Sequence, residues 1–205
     1  EETGRLMGSK TAGTVVLMNA AQTGVTSVTE LPSLDKSSLK AGVELVRAVA
    51  RGCVLSEEMG MPFEIPQQWQ RYLIKGLFKK DCQVDVISLR SLTEAALRSD
   101  LVELAFIASG AGLRQSGPGK GWFLLLRARC LAGLSFSRMR DCLAGAAELA
   151  RRQGDMKLLA HVVDFSREGY RQSRFRYGYQ VIESEDLKIT NEQLAQVMEL
   201  EEKAR

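Results

Sequence analysis

The spacing of the apolar residues between positions 36 and 172 constrains the fold of this chain more than any other feature of the sequence. From Ser37 to Leu55 the apolar side chains recur at steps of three and four residues, which places them along one side of an α-helix. Similar stripes follow, separated by glycine, proline and helix-capping residues. The sequence therefore predicts a mainly α fold, built as an antiparallel helical array or a helical-repeat-like bundle.

Two regions depart from the helical period. The runs Thr14–Met18 and Val25–Thr29 are of β type, so residues 1–34 are predicted to form an extended arm or a hairpin. The aromatic residues at 175, 177 and 179 alternate with other residues, which predicts a short strand near 174–182. The predicted organisation is an N-terminal arm (1–34), a helical domain (35–172), an extended segment or linker (173–189) and a C-terminal helix (190–205).

Local signals predict where individual helices begin and end. Five glycines between 110 and 121, with Pro118, predict a loop over 109–121. Ser91 to Glu94 has a capping-box pattern, although the helix there could begin nearer Val84. Ser99-Asp100, Ser137 and Asp155 are further predicted helix starts, and Thr190–Gln193 is a capping box ahead of the last helix. One side of the helix after Pro66 is predicted to carry Trp69, Leu73, Ile74, Leu77 and Phe78. Because Trp69, Leu73 and Leu77 lie four residues apart, we expect them to face a neighbouring helix.

The small residues between 125 and 155, with the closing pair Gly154-Asp155, resemble a tetratricopeptide-like helical repeat. The resemblance implies a pair of helices that packs against a neighbouring pair. The chain departs from that family because no second copy recurs at a 34-residue period. No binding residue is transferred from the family to this chain.

The side chains needed for catalysis or metal binding are scarce. The chain has one histidine, His161, and its cysteines at 53, 82, 130 and 142 form no CxxC pair. Gly119-Lys120 is followed by glycine rather than by serine or threonine, so the glycine-rich stretch does not match a phosphate-binding loop; Arg114 and Lys120 are the residues there that a ligand would contact. We therefore expect no enzymatic activity, no metal and no cofactor.

Neither a membrane span nor a secretory leader is expected. No run approaches 18 uncharged apolar residues, and the first twenty residues lack the basic start and the long apolar core of a signal peptide. Because the chain opens at Glu1 rather than Met, we expect it to be a fragment or a processed product of a longer protein. The expected location is intracellular, either nuclear or cytoplasmic, with no membrane partner.

Charge is distributed unevenly along the chain. Residues 114–179 carry thirteen basic and five acidic side chains, whereas residues 180–205 carry three basic and seven acidic ones. This distribution favours a non-enzymatic scaffold or adaptor subunit of a larger intracellular complex, which binds other protein subunits. The candidate partner-binding residues are Leu194, Val197 and Met198, on one edge of the C-terminal helix. We expect this edge to dock either into a groove on a partner protein, which is the preferred alternative, or back onto the basic middle region of the chain.

The alternative function is a basic nucleic-acid-binding module. In the segment 170–179, arginines that could contact phosphates are interleaved with aromatic rings that could stack on bases. The candidate residues are Arg171, Arg174, Phe175, Arg176, Tyr177 and Tyr179. A strand with one aromatic face packed on the helices would produce the same alternation, so both interpretations stay open.

Overall fold

The computed structural model describes residues 38–61, 63–80, 82–115, 117, 119–132, 134–173 and 187–203. These residues form eight α-helices and no strand, which confirms a mainly α fold. The predicted arm at 1–34 and the predicted strand near 174–182 lie outside the described residues. The helices are α1 (Ser38–Glu58), α2 (Gln70–Leu77), α3 (Val86–Arg98), α4 (Val102–Arg114), α5 (Lys120–Leu131), α6 (Phe136–Gln153), α7 (Met156–Ser173) and α8 (Asn191–Lys203).

The chain divides into two compact units, residues 1–111 and residues 112–205, with the boundary inside α4. The predicted helical domain, residues 35–172, includes described residues of both units. Both units contain their own buried apolar residues: Trp69, Leu73 and Leu92 are almost fully buried in the first, and Phe123, Leu143 and Leu158 in the second. The hydrophobic pattern predicts burial along the whole stretch, but it does not show where one core ends and another begins.

In the first unit, α1 packs against both α2 and α3. The backbone of α2 approaches α1 at Gly76, where an added Cβ would lie 2.4 Å from the carbonyl oxygen of Gly42. The side chain of Arg47 donates to the carbonyl of Gln83 (3.3 Å), just before α3, and Glu57 accepts from Ser91 (2.6 Å) within α3. Residue numbers therefore rise together along α1 and α3, so these two helices run in the same direction.

Helix α3 begins close to Val84, the earlier of its two predicted starts, and not at the capping-box pattern of Ser91. The cap of α3 is Asp85, whose carboxylate accepts from the backbone N–H of Ser88 at 2.9 Å, whereas Ser91 lies inside the helix. Ser99 ends α3, and its hydroxyl accepts from the backbone N–H of Ile65 at 2.7 Å instead of starting α4. At both positions, the serine that the local pattern assigns to a helix start forms a hydrogen bond with a residue that is distant in the sequence.

In the second unit, α5, α6 and α7 pack together. Gly121 on α5 lies against α6 and α7, since a Cβ there would be 2.4 Å from Leu158 and 3.5 Å from Leu149. Further along α5, Leu124 meets Gly145 on α6, so α5 and α6 are antiparallel. A tight turn at Gly154, which has a left-handed backbone (φ 65°), then reverses the chain into α7.

The predicted loop over 109–121 is shorter in the structure. Helix α4 continues to Arg114 and α5 begins at Lys120, so Gly110 and Gly112 are helical. A Cβ on Gly112 would lie 2.3 Å from the ring of Phe123. Glycine costs a helix about 1 kcal/mol relative to alanine, and the close approach of this ring offsets that cost.

Two predicted helix starts are confirmed by their hydrogen bonds. Asp155 accepts from the backbone N–H of Leu158 at 2.9 Å and caps α7. At α8, Thr190 and Gln193 exchange two bonds of 3.2 Å, each side chain accepting from the other residue's backbone N–H. The start predicted at Ser137 lies one residue inside α6, which begins at Phe136.

Candidate interaction surfaces

The outer face of α2 presents a group of cationic and aromatic side chains, which we call the α2 surface. Its members are exposed; Arg71, Lys75 and Phe78 lie opposite the buried Trp69 and Leu73, whereas Tyr72 lies at the edge of the buried face. Side chains that are three or four residues apart align along a helix. Residues 71, 75 and 78 have this spacing, and so do residues 72, 75 and 79. The α2 surface consists of Arg71, Tyr72, Lys75, Phe78, Lys79 and Lys80.

The α2 surface contains four cations, and the carboxylate of Glu103 lies near one end of it, accepting from the side chain of Gln70 at 3.0 Å. None of the four cations makes an ion pair with a residue that the structure describes. The sequence from Gln67 to Lys80 contains these four cations and no acidic residue. The α2 surface is therefore a concentrated positive patch, with Phe78 exposed by 67% and Tyr72 by 36%.

A second exposed apolar side chain lies in the first unit. Ile87, in the first turn of α3, is 68% exposed. It follows Gln83, whose carbonyl is bonded to Arg47 on α1, whereas Phe78 follows Gly76, which touches Gly42 on α1. Among the described helices of this unit, α1 packs on both α2 and α3, but α2 and α3 do not pack on each other, so Phe78 and Ile87 lie on two helices that are not in contact.

The sequence prediction missed the exposure of Phe78, which it placed on the inward side of α2 with Leu77. The stripe of Trp69, Leu73 and Leu77 is confirmed as buried. Phe78 lies one residue beyond the helix, and its position rotates it about 100° away from Leu77. The signal that could have identified the α2 surface is the spacing of Arg71, Lys75 and Lys79, four residues apart on the opposite side of the helix.

The C-terminal segment packs within the second unit. Arg151 on α6 donates to the backbone carbonyls of Leu187 and Lys188, and α8 packs on α7. Leu187 and Ile189 are 2% and 7% exposed, so the final residues of the predicted linker 173–189 belong to the folded unit.

The three residues predicted to bind a partner do not share one environment. Val197 is fully buried, Leu194 is half-buried and Met198 is 55% exposed. The inward edge of α8 is therefore occupied within the unit, because an apolar side chain at Val197 is removed from water. Met198 alone among the three presents most of its surface to solvent.

The residues predicted to bind nucleic acid are Arg171, Arg174, Phe175, Arg176, Tyr177 and Tyr179. Arg171 belongs to α7 and lies near the C-terminal end of that helix. The other five lie outside the described residues. Nucleic-acid binding by this segment stays a prediction.

His161 belongs to a group of three side chains that join α5 to α7. The indole N–H of Trp122 donates to Asp155 at 3.1 Å, and the rings of Trp122 and His161 meet edge to face with centroids 5.2 Å apart. The second carboxylate oxygen of Asp155 caps α7. These contacts position the helices and bring no nucleophile to the exposed imidazole.

The cysteines are free thiols. Burial raises the pKa of Cys53 to about 12, with a further contribution from the charge of Glu57, and burial likewise raises the pKa of Cys130 to about 12. Cys82 and Cys142 are half-buried, and burial raises their pKa values as well. All four thiols are therefore held in the protonated form, which is the weaker nucleophile.

The remaining candidate site was the glycine-rich loop, with Arg114 and Lys120 at its two sides. Both cations are exposed, at the end of α4 and the start of α5. No group of three His, Cys, Asp or Glu side chains in the described part of the chain could hold a metal ion. None of the described helices is long and apolar enough to cross a membrane.

Comparison with known proteins adds no relative. No protein-family model matches the chain, and no curated protein or solved structure resembles it significantly.

Proposed function

We propose that this chain is a non-enzymatic scaffold or adaptor subunit, which binds other proteins inside a larger intracellular complex, nuclear or cytoplasmic. The observation that supports the proposal is the exposure of Phe78 on the α2 surface, among cations that form no ion pair with a described residue. Apolar side chains scattered singly over a surface are ordinary, but an exposed phenylalanine beside arginine and tyrosine has the composition of a protein-binding surface.

The test is affinity purification of the full chain as wild type, as Phe78→Ala and as Leu134→Ala. Leu134 is 62% exposed in the second unit, so its substitution removes a comparable exposed apolar group away from the α2 surface. We expect stoichiometric partners that persist at moderate salt with the wild type and Leu134→Ala, and that are lost with Phe78→Ala. Identical recovery with all three chains would contradict the use of this surface.

The alternative, a nucleic-acid-binding module, is favoured by the excess of ten basic over four acidic side chains between residues 112 and 167. Several of these cations are engaged by the protein itself. Arg129 lies 5.7 Å from the ring centre of Phe165, Arg151 bonds backbone carbonyls, and Arg152 pairs with Glu148. Nucleic-acid binding should weaken steeply between low and moderate salt because counterions are released, and this dependence distinguishes the two functions.

A further inference from the structure

We infer that the α2 surface docks an acidic, amphipathic segment of a partner protein, in which aspartates and glutamates accompany large apolar side chains. The inference rests on the proposed function and specifies the chemistry of the partner. Two independent properties of the surface carry it: the unpaired cations and the exposed apolar rings.

Charge complementarity fixes the sign of the partner. Arg71, Lys75, Lys79 and Lys80 are exposed, unpaired with any described residue, and close together on two turns of helix and the residues that follow. A basic partner would meet four like charges, whereas carboxylates would be attracted and guided to the surface. Complementary charge mainly accelerates the encounter and excludes wrong partners, so it requires an apolar anchor for stable binding.

Phe78 supplies that anchor. Its ring is 67% exposed, and Tyr72, on the same helix, exposes about a third of its surface. Large aromatic residues ringed by polar or charged side chains are the usual centre of a protein–protein interface. From residue 71 to residue 78 the α2 surface is about 10 Å long, which matches a few extended residues or two helical turns of a partner.

The side chains favour a protein segment over single-stranded nucleic acid. Stacking of successive bases requires several aromatic faces that are open to solvent; Phe78 offers one, whereas roughly two thirds of Tyr72 is already covered. An apolar side chain of a partner protein can pack favourably against the single exposed ring of Phe78.

The experiment is a selection from a random peptide library displayed on phage, with the full wild-type chain as bait and the Phe78→Ala chain for counter-selection. We expect the enriched peptides to have a net negative charge and at least two large apolar residues. An absence of enrichment, or enriched peptides without acidic residues, would overturn the inference.

One enriched peptide is then synthesised, and its affinity is measured by fluorescence anisotropy. Phe78→Ala should weaken binding by about tenfold or more, as loss of a central aromatic residue does. The double variant Lys75→Glu, Lys79→Glu should also weaken it, whereas Lys157→Glu, an exposed cation in the second unit, should not. Equal binding by all variants would contradict docking on α2.

Two further outcomes would also overturn the inference. The first is binding of a twelve-nucleotide single-stranded DNA that is lost in Phe78→Ala. The second is a dimer of the wild-type chain in light scattering that Phe78→Ala converts to a monomer. Circular dichroism of each variant checks that it is folded, since all the substituted side chains are exposed.

The outcomes also separate this inference from the proposed function. If partners captured by affinity purification depend on Phe78 but bind through segments that are not acidic, only the inference fails. If no captured protein and no displayed peptide depends on Phe78, the proposed function of this surface fails as well.

Discussion

Gly76 on α2 lies so close to Gly42 on α1 that a methyl group added to Gly76 would be 2.4 Å from the carbonyl oxygen of Gly42 and 2.6 Å from the side chain of Val46. The obstacle is backbone, which cannot move without shifting a helix. The absence of a side chain at Gly76 is therefore what allows α2 to pack on α1.

Gly76→Ala should destabilise the first unit by about 1–3 kcal/mol, because an overpacked contact forces the backbones apart. Gly42→Ala is the matched control. A Cβ there would meet Gly76 and Tyr72 at 3.7–3.8 Å, an ordinary contact, and alanine should stabilise α1 by up to about 1 kcal/mol. Urea unfolding followed by circular dichroism measures both, and equal effects of the two substitutions would contradict the close packing at Gly76.

Trp69 is 2% exposed, and its indole N–H has no hydrogen-bond acceptor among the described residues. Trp69→Ala should cost about 3–5 kcal/mol, because it removes a large buried ring. Trp69→Phe should cost no more than about 2 kcal/mol, since it keeps an aromatic ring and removes the unpaired donor. The comparison is made by urea unfolding; a Phe variant as unstable as the Ala variant would indicate that the N–H has a partner.

The helices of both units could be predicted from the sequence wherever a single apolar stripe on a helix packs against a single neighbouring surface. In α1 the residues Val43, Val46, Val49 and Cys53 are buried as their spacing predicts. Asp155 and Thr190 cap helices as predicted because these bonds are local, reaching three residues along the chain. Such interactions depend on the sequence around them and on little else.

Long-range contacts decide the features that the sequence did not predict. Gly112 is typical of a loop by local rules, yet it lies in α4 because the ring of Phe123 occupies the space beside it. Ser99 and Ser91 have the composition of helix caps, but they bond to Ile65 and Glu57, which are 34 residues away in the sequence. Predicting the α2 surface would have required knowing which residue ends α2, because the end of the helix at Leu77 places Phe78 outside the core.

The cysteines should differ in reactivity in the order of their burial. With an alkylating reagent at pH 8, we expect the half-buried Cys82 and Cys142 to react first, and Cys53 and Cys130 to react only when the chain unfolds. A raised pKa lowers the thiolate fraction at pH 8, and each unit of pH below the pKa reduces that fraction about tenfold. Peptide mapping by mass spectrometry assigns the modified positions. Rapid labelling of Cys53 in the folded chain would show that α1 opens readily.

The C-terminal segment should be ordered in the isolated chain. Leu187, Ile189 and Val197 are buried, and Arg151 holds the carbonyls of Leu187 and Lys188, so amide hydrogen exchange should be slow in α8 from residue 194 to residue 200. Val197→Asp should abolish this protection, because a carboxylate would be buried without a partner. Met198→Asp is the matched control: its side chain is 55% exposed, and the protection should persist.

Since the inward edge of α8 is already occupied, a partner could use Val197 only by displacing α8 from α7. Fast exchange at 194–200 in the isolated wild-type chain would contradict this packing and would support docking of α8 on a partner instead.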